Sequence, residues 1–236
     1  MVKTLVLRAD GTNCDEETAY AFHLAGSHAD RVHINELIKG KRRLDDYQIL
    51  AIPGGFAHGD DVASGKILAN LIRFKLNKDF VKFIESGKLV IGICNGFQVL
   101  CEAHLLPGVL RQNDHLQYRC QWTYLKTENT STVFTSKCHK GQVLKIPISH
   151  YEGRYYADDA VLKELEDNNR VAFRYATPDG EATREANPNG AARNIAGIVN
   201  KKGNVLGMMP HPERSCEDIL GSADGNIIWE SIIASI

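Results

Sequence analysis

The chain has 236 residues, of which 43% are hydrophobic and 24% charged, and its 28 basic residues nearly balance its 29 acidic ones. A net charge of −1 gives no basic excess for nucleic acid or an anionic membrane surface. No apolar run approaches the ~18 residues of a membrane-spanning helix. The apolar stretch at the N-terminus is short, so it predicts a first strand rather than a signal peptide.

The six cysteines have no spacing typical of a disulfide framework or of a zinc site. Cys138 and His139 are adjacent, and no His-Glu-x-x-His occurs. We therefore expect reduced thiols, a cytoplasmic location and no metal site.

The first half of the chain alternates predicted strands and helices, which favours a parallel sheet with helices on both faces. Asn13 or Asp15 can cap the first helix, and Gly26 can end it. The predicted strands are residues 4–8, 31–34, 47–52 and 88–93, and the predicted helices are residues 16–25, 66–85 and 95–103.

The second half is richer in extended segments, with a hairpin signal at residues 200–204. Extended structure is predicted for residues 116–125, 131–135, 142–149, 171–175, 195–199 and 205–209, and helices for residues 159–166 and 225–236. We find no repeat and no linker. The prediction is an α/β fold, a mostly parallel central sheet with an antiparallel elaboration, in a single domain over residues 1–236.

A glycine lies two residues before and two residues after Cys94, where a buried strand runs into a helix. This G-x-C-x-G pattern is analogous to the nucleophile elbow G-x-S-x-G. The helix N-terminus favours a thiolate, and the N–H of Asn95 is placed where an oxyanion would form. Without the glycines, a buried structural cysteine would be the better interpretation.

A cysteine nucleophile needs a base and a group that orients the base. His211 and Glu213 follow a predicted strand and are two residues apart, so an extended chain would place both side chains on one face. The alternative is a surface histidine beside an ion-pairing glutamate.

A third segment, residues 53–60, has two glycines directly after a predicted strand. Gly54 and Gly55 allow backbone N–H groups to approach a ligand closely, although the segment could equally be a plain turn. We find neither a Walker motif nor G-x-G-x-x-G, so the chain is not expected to bind ATP or a dinucleotide in these ways.

Together these motifs resemble the triad (class I) glutamine amidotransferases, whose sheet is flavodoxin-like, and within them the glutaminase subunits of phosphoribosylformylglycinamidine synthase in purine biosynthesis. Asp10 stands where that family more often has proline. The motifs are residues 8–15 (RADGTNCD), 53–60 (PGGFAHGD), 92–98 (GICNGFQ), 105–108 (LLPG), 149–155 (SHYEGRY) and 208–214 (MMPHPER).

The resemblance implies that Cys94 attacks the side-chain amide of glutamine, that His211 transfers the protons and that Glu213 orients His211. It places the oxyanion on the N–H groups of Gly55 and Asn95. Further contacts with glutamine are implied for Gly54, Gln98, Tyr151, Gly153 and Arg154.

The resemblance also implies partners and cofactors outside this chain. A synthetase subunit with ATP and Mg²⁺ would receive ammonia through a channel and convert formylglycinamide ribonucleotide into formylglycinamidine ribonucleotide. A small third subunit would bridge the two. The chain itself is expected to bind no cofactor.

The sequence leaves two alternative functions open. One is a hydrolase or chaperone of related fold that has a cysteine elbow but no glutamine chemistry. The other is a non-catalytic subunit.

Overall fold

The computed structural model describes residues 2–236, and strands from both halves of the chain enter one nine-stranded sheet. The strand order is β2-β1-β3-β4-β11-β10-β9-β6-β7, while β5 and β8 pair separately. The strands are β1 Lys3–Arg8, β2 His28–His33, β3 Ile49–Ile52, β4 Leu89–Ile93, β5 Val109–Arg111, β6 Arg119–Thr127, β7 Val143–His150, β8 Arg154–Tyr156, β9 Val171–Ala176, β10 Ile195–Val199 and β11 Val205–Met208.

Seven α-helices occur in the described residues, and they cover both faces of the parallel part of the sheet. α5 packs on β3, β4 and β11, with α3 beside it, whereas α1 contacts β1, β2 and α7. The helices are α1 Asp15–Leu24, α2 Ile34–Ile38, α3 Lys66–Lys75, α4 Asn77–Glu85, α5 Asn95–Glu102, α6 Asp159–Asp167 and α7 Asn226–Ala234. None of them is long and apolar enough to cross a membrane.

The sheet changes direction at β11. β2, β1, β3, β4 and β11 pair in parallel, and every later pair is antiparallel. All residues of β3 and β4 are buried, as expected for strands covered on both faces. The predicted fold class is therefore confirmed, and β10 and β11 form the predicted hairpin.

The parallel arrangement places three chain segments at one edge of the sheet. β3, β4 and β11 are neighbours, so the segments that follow Ile52, Ile93 and Met208 emerge together at the carboxyl ends of these strands. This edge is where open α/β sheets bind ligands.

Several predicted boundaries were wrong. The long helix predicted for residues 66–85 is two helices, because Leu76 leaves the helical conformation with φ −126°. β2 begins at His28, and His33 caps α2 with its side chain. Cys14 lies at the start of α1 without a side-chain cap, so neither predicted capping residue is used.

Residues 131–135 form turns instead of the predicted extended segment. The hydroxyls of Thr132 and Thr135 lie 2.7 Å apart, and Thr132 also accepts the N–H of Phe134. Local bonds of this kind compete with a strand ladder. The short strands β5 and β8 were not predicted.

Candidate active site

The turn between β4 and α5 holds Cys94 in a conformation that is rare for a residue with a side chain, with φ 52° and ψ −106°. A Cβ atom on Gly96 would lie 1.9 Å from the carbonyl oxygen of Ile52. A Cβ on Gly92 would lie 2.5 Å from Leu100 Cδ1. Only glycine fits these two positions, so the sequence pattern corresponds to a true nucleophile elbow.

Backbone bonds fix Cys94 on both sides. Its N–H donates to Met208 O at 2.8 Å, and its carbonyl accepts the N–H groups of Phe97 and Gln98. Its thiol is buried and donates to Ser149 O at 3.5 Å. The N–H of Asn95 belongs to the first turn of α5, where helix geometry provides no partner.

His211 and Glu213 form a buried pair, with 2.6 Å between His211 Nδ1 and Glu213 Oε1. They meet through a 3₁₀ turn, Pro212–Arg214, rather than along the extended chain that we predicted. His211 N–H donates to Pro147 O at 2.8 Å. His211 Nε2 and Glu213 Oε2 are buried without a hydrogen-bond partner.

Burial alone would lower the pKa of the His211 imidazole. The Glu213 carboxylate and the neighbouring thiols of Cys94 and Cys14 together outweigh that effect and hold the pKa well above its usual range. The pair therefore stabilises an imidazolium beside Cys94.

The loop after β3 packs closely on this pair. A Cβ on Gly54 would lie 2.8 Å from His211 Cε1 and 3.1 Å from Cys14 Sγ. Gly55 has φ 138°, and a Cβ there would lie 2.7 Å from Asn13 N. Gly54 thus makes room for the imidazole, and Gly55 lines the same cavity as Cys94.

The side chains of Asn95 and Gln98 tie α5 to two loops. Asn95 Oδ1 accepts the N–H of Ala57 at 3.2 Å, and its amide nitrogen donates to Asp60 and to Gln98. Gln98 Nε2 donates to Glu152 O at 2.7 Å. Gln98 therefore holds the segment around Glu152, and direct contact with glutamine stays a prediction.

A buried polar cluster supports the same segment from beneath. Asn113 accepts the N–H of Gly153 at 3.1 Å, and Asn189 donates to Gly153 O at 2.9 Å and to His150 Nε2 at 3.0 Å. Burial, with smaller contributions from His211 and His115, lowers the pKa of His150 to about 3. His150 is therefore a neutral structural group at physiological pH.

Cys94 and His211 line one cavity of about 130 Å³. Tyr151 and Arg154 do not line it: Tyr151 is partly exposed, and Arg154 lines a separate polar cavity of about 460 Å³. The other residues of the first cavity are Asn13, Cys14, Gly55, Phe56, Tyr118, Ser149 and Arg214.

The sequence did not single out several of these residues. Cys14 and Arg214 belong to quoted motifs but had no assigned role, although the motifs themselves were a signal. Asn113 and Asn189 gave no signal, because each is an isolated polar residue in a loop whose burial depends on the tertiary fold.

A larger cavity, about 910 Å³, lies elsewhere and is lined by residues such as Glu85, Pro107 and Lys202. None of its lining residues is a cysteine. Cavity volume therefore does not identify the active site, whereas the chemistry of the lining side chains does.

A cysteine on a strand-to-helix elbow beside a buried His–Glu pair defines the triad class of glutamine amidotransferases. Residues 1–227 match the CobB/CobQ-like glutamine amidotransferase domain. The chain belongs to the family of phosphoribosylformylglycinamidine synthase subunit PurQ, which confirms the resemblance inferred from the motifs.

The relatives support this assignment along nearly the whole chain. PurQ of Moorella thermoacetica is 50% identical over 224 residues, which are 94% of this chain and 92% of that protein. A chain in the solved structure of PurLQS from Thermotoga maritima is 36% identical with a TM-score of 0.84, covering 99% and 98% of the two chains. The glutaminase domain of Trypanosoma brucei CTPS shares the fold at 13% identity and a TM-score of 0.59, covering 100% and 93%.

Proposed function

We propose that this chain is the glutaminase subunit of a phosphoribosylformylglycinamidine synthase. It hydrolyses L-glutamine to glutamate and ammonia and delivers the ammonia to a synthetase subunit. The observation that carries the proposal is the Cys94 elbow sharing one cavity with His211, whose Nδ1 lies 2.6 Å from Glu213.

The proposed reaction begins when Cys94 Sγ attacks the carbonyl carbon of the glutamine side-chain amide while His211 holds the thiol proton. The N–H groups of Gly55 and Asn95 stabilise the oxyanion of the tetrahedral intermediate, and one such donor contributes about 2.7–4 kcal/mol. Collapse breaks the C–N bond, and His211 gives its proton to the departing ammonia. Water then hydrolyses the γ-glutamyl thioester and restores the thiol.

The part of glutamine that does not react is proposed to bind to the segment around Gly153. We propose that Tyr151, Gly153 and Arg154 bind the α-amino and α-carboxyl groups of glutamine, with Gly54 and Gln98 shaping the pocket. The hydrogen bonds of Gln98 and Asn189 to this segment support the assignment, because they fix its backbone.

The ammonia acceptor is assigned to partner subunits. The PurLQS structure contains a relative of this chain together with PurL and PurS. We propose that a synthetase subunit with ATP and Mg²⁺ aminates formylglycinamide ribonucleotide in the cytoplasm, and that a small subunit bridges the two. The half-exposed rings of Phe56 and Tyr118 line the cavity mouth and could be covered by such a partner.

A glutamine analogue bearing a diazoketone tests the proposal. After incubation, mass spectrometry should find one adduct on Cys94, which glutamine prevents and which Cys94→Ala abolishes. Cys101→Ala is the matched control, since Cys101 is also buried but bonds to Pro107 O at 3.7 Å, outside the cavity. An adduct that glutamine does not prevent would indicate a cysteine-elbow enzyme without glutamine chemistry, and no adduct would indicate a non-catalytic subunit.

Coupling to the partner is tested separately. We expect glutamine hydrolysis by the isolated chain to be slow and to rise when synthetase and small subunits are added. If the isolated chain hydrolysed glutamine as fast as the complex does, control of its activity by the synthetase would be contradicted.

A further inference from the structure

The N-terminal segment brings a second thiol to the site. Cys14, His211 and Glu213 are each buried, and one ligating atom from each lies within 4.8 Å of the others. Residue 14 is distant in sequence from residues 211 and 213, which is why no metal-binding spacing appears in the sequence.

These three groups are a donor set that zinc prefers. Zinc binds thiolate sulfur, imidazole nitrogen and carboxylate oxygen at about 2.0–2.3 Å, so the ligands of a tetrahedral ion lie roughly 3.3–3.8 Å apart. The 2.6 Å between His211 Nδ1 and Glu213 Oε1 would have to open, and a separation at the 4.8 Å limit of the cluster would have to close by about 1 Å. Water from the cavity would supply the fourth ligand.

An independent observation points to a ligand at this place. Glu213 Oε2 is buried and has no hydrogen-bond partner, although a carboxylate oxygen is a strong acceptor. Glu213 is 1% exposed, so bulk water does not solvate this oxygen freely. A cation shared with Cys14 would satisfy it.

Without a metal, Cys14 is a protonated thiol, because burial raises the pKa of this buried group. The Cys14 thiol donates to Asn13 Oδ1 at 3.2 Å, and its sulfur accepts from Arg214 Nη2 at 3.1 Å. Arg214 is a positive charge beside the proposed cation, but it also bonds to Glu17 Oε1 at 3.2 Å and is 37% exposed. It can therefore turn towards Glu17.

We propose that Cys14, His211 and Glu213 form an inhibitory site for Zn²⁺. Binding displaces the thiol proton of Cys14 and one proton of the His211 imidazolium, and the metal then takes the thiolate, the imidazole and the Glu213 carboxylate as ligands. His211 then no longer transfers protons for Cys94, and glutamine hydrolysis stops. This last consequence rests on the proposed function, whereas metal binding does not.

Cobalt is the probe for binding, because a cobalt–thiolate bond gives a charge-transfer band in the near ultraviolet. The full-length Cys94→Ser protein excludes the competing thiol of the elbow. We expect it to show the band with Co²⁺ and to lose the band when Zn²⁺ is added. The Cys14→Ser/Cys94→Ser protein should show no band, and Cys101→Ser/Cys94→Ser is the matched control that keeps it.

X-ray absorption of the zinc-loaded Cys94→Ser protein needs no change at Cys14. A shell of one sulfur with nitrogen and oxygen neighbours supports the site, and a shell without sulfur overturns it. In the protein that keeps Cys94, zinc should abolish glutaminase activity, and Cys14→Ser should weaken that inhibition by about 100-fold or more. Unchanged inhibition of Cys14→Ser would place the ion on Cys94 and refute the proposal. If the unchanged chain stayed inactive even with its synthetase and small subunits while Cys94→Ser gave the cobalt band, only the proposed function would be refuted.

Discussion

Cys94 has a backbone conformation that costs about 1–3 kcal/mol and persists only where the surrounding structure imposes it. Its N–H is held by Met208, and its carbonyl is held by the first turn of α5. The same contacts aim the thiol at the cavity that His211 lines. The strain at this residue is thus compensated by contacts that also position its sulfur.

Glu213→Gln should lower kcat/KM for glutamine by roughly 10³- to 10⁴-fold. The carboxylate raises the pKa of His211, so a neutral amide should lower that pKa. Because activity is lost at high pH when the imidazolium loses its proton, the alkaline limb of the pH profile should move to lower pH. The measurement is glutaminase activity across pH.

Glu217→Gln is the control for this change, since Glu217 accepts a hydrogen bond from Tyr20 on the surface. It should leave both the rate and the pH profile unchanged. An alkaline limb that stays in place in Glu213→Gln would show that Glu213 does not set the protonation of His211.

At the scale of elements, the site depends on how closely α5 approaches β3 and β4. Gly96 lies against the Ile52 carbonyl, and this contact sets the distance between helix and sheet. The N-terminus of α5 is therefore placed by packing, and the same packing positions Asn95.

Gly96→Ala should lower the free energy of unfolding by about 3 kcal/mol or more, because its Cβ would overlap backbone that cannot move. Gly87→Ala is the matched control: its Cβ would meet nothing within 4 Å, so only its φ of 83° opposes the change. That cost is about 1–2 kcal/mol. Urea unfolding compares the two, and equal losses would argue against the close contact.

Asn189→Ala should raise KM for glutamine by about tenfold with a smaller effect on kcat, because Asn189 fixes the segment around Gly153 and does not line the cavity of Cys94. Steady-state kinetics measure this, with thermal unfolding as a check on folding. Asn168→Ala, which removes one exposed bond to Glu164 O, is the control. If folded Asn189→Ala had an unchanged KM, the segment around Gly153 would not contribute to glutamine binding.

The sequence predicted the features that depend only on residues close to one another in the chain. Cys94 could be identified because two glycines flank it in the motif. The hairpin at residues 200–204 could be predicted because the turn residues there specify it. The break at Leu76 was missed, because the apolar stripe continues through it without glycine or proline. The contact of Cys14 with His211 joins residues far apart in the chain, so it could be found only in the folded structure.

At the scale of the whole molecule, the hydrogen bond from His211 N–H to Pro147 O joins the parallel and antiparallel parts of the fold. β7 thus holds the base, while β4 holds the nucleophile. The site therefore depends on both parts of the sheet, because separating them would separate Cys94 from His211; a single domain over residues 1–236 stays a prediction.

The stability of the whole molecule should fall on acidification because of His150. Burial lowers the pKa of His150 from 6.5 to about 3, so between these values the unfolded chain binds a proton that the folded chain does not. Each pH unit in this window should then cost about 1.4 kcal/mol for this group. His150→Asn, whose amide oxygen can still accept from Asn189, should reduce the slope of unfolding free energy against pH across the window. Equal slopes in the His150 variant and the unchanged chain would show that His150 is already charged in the folded state.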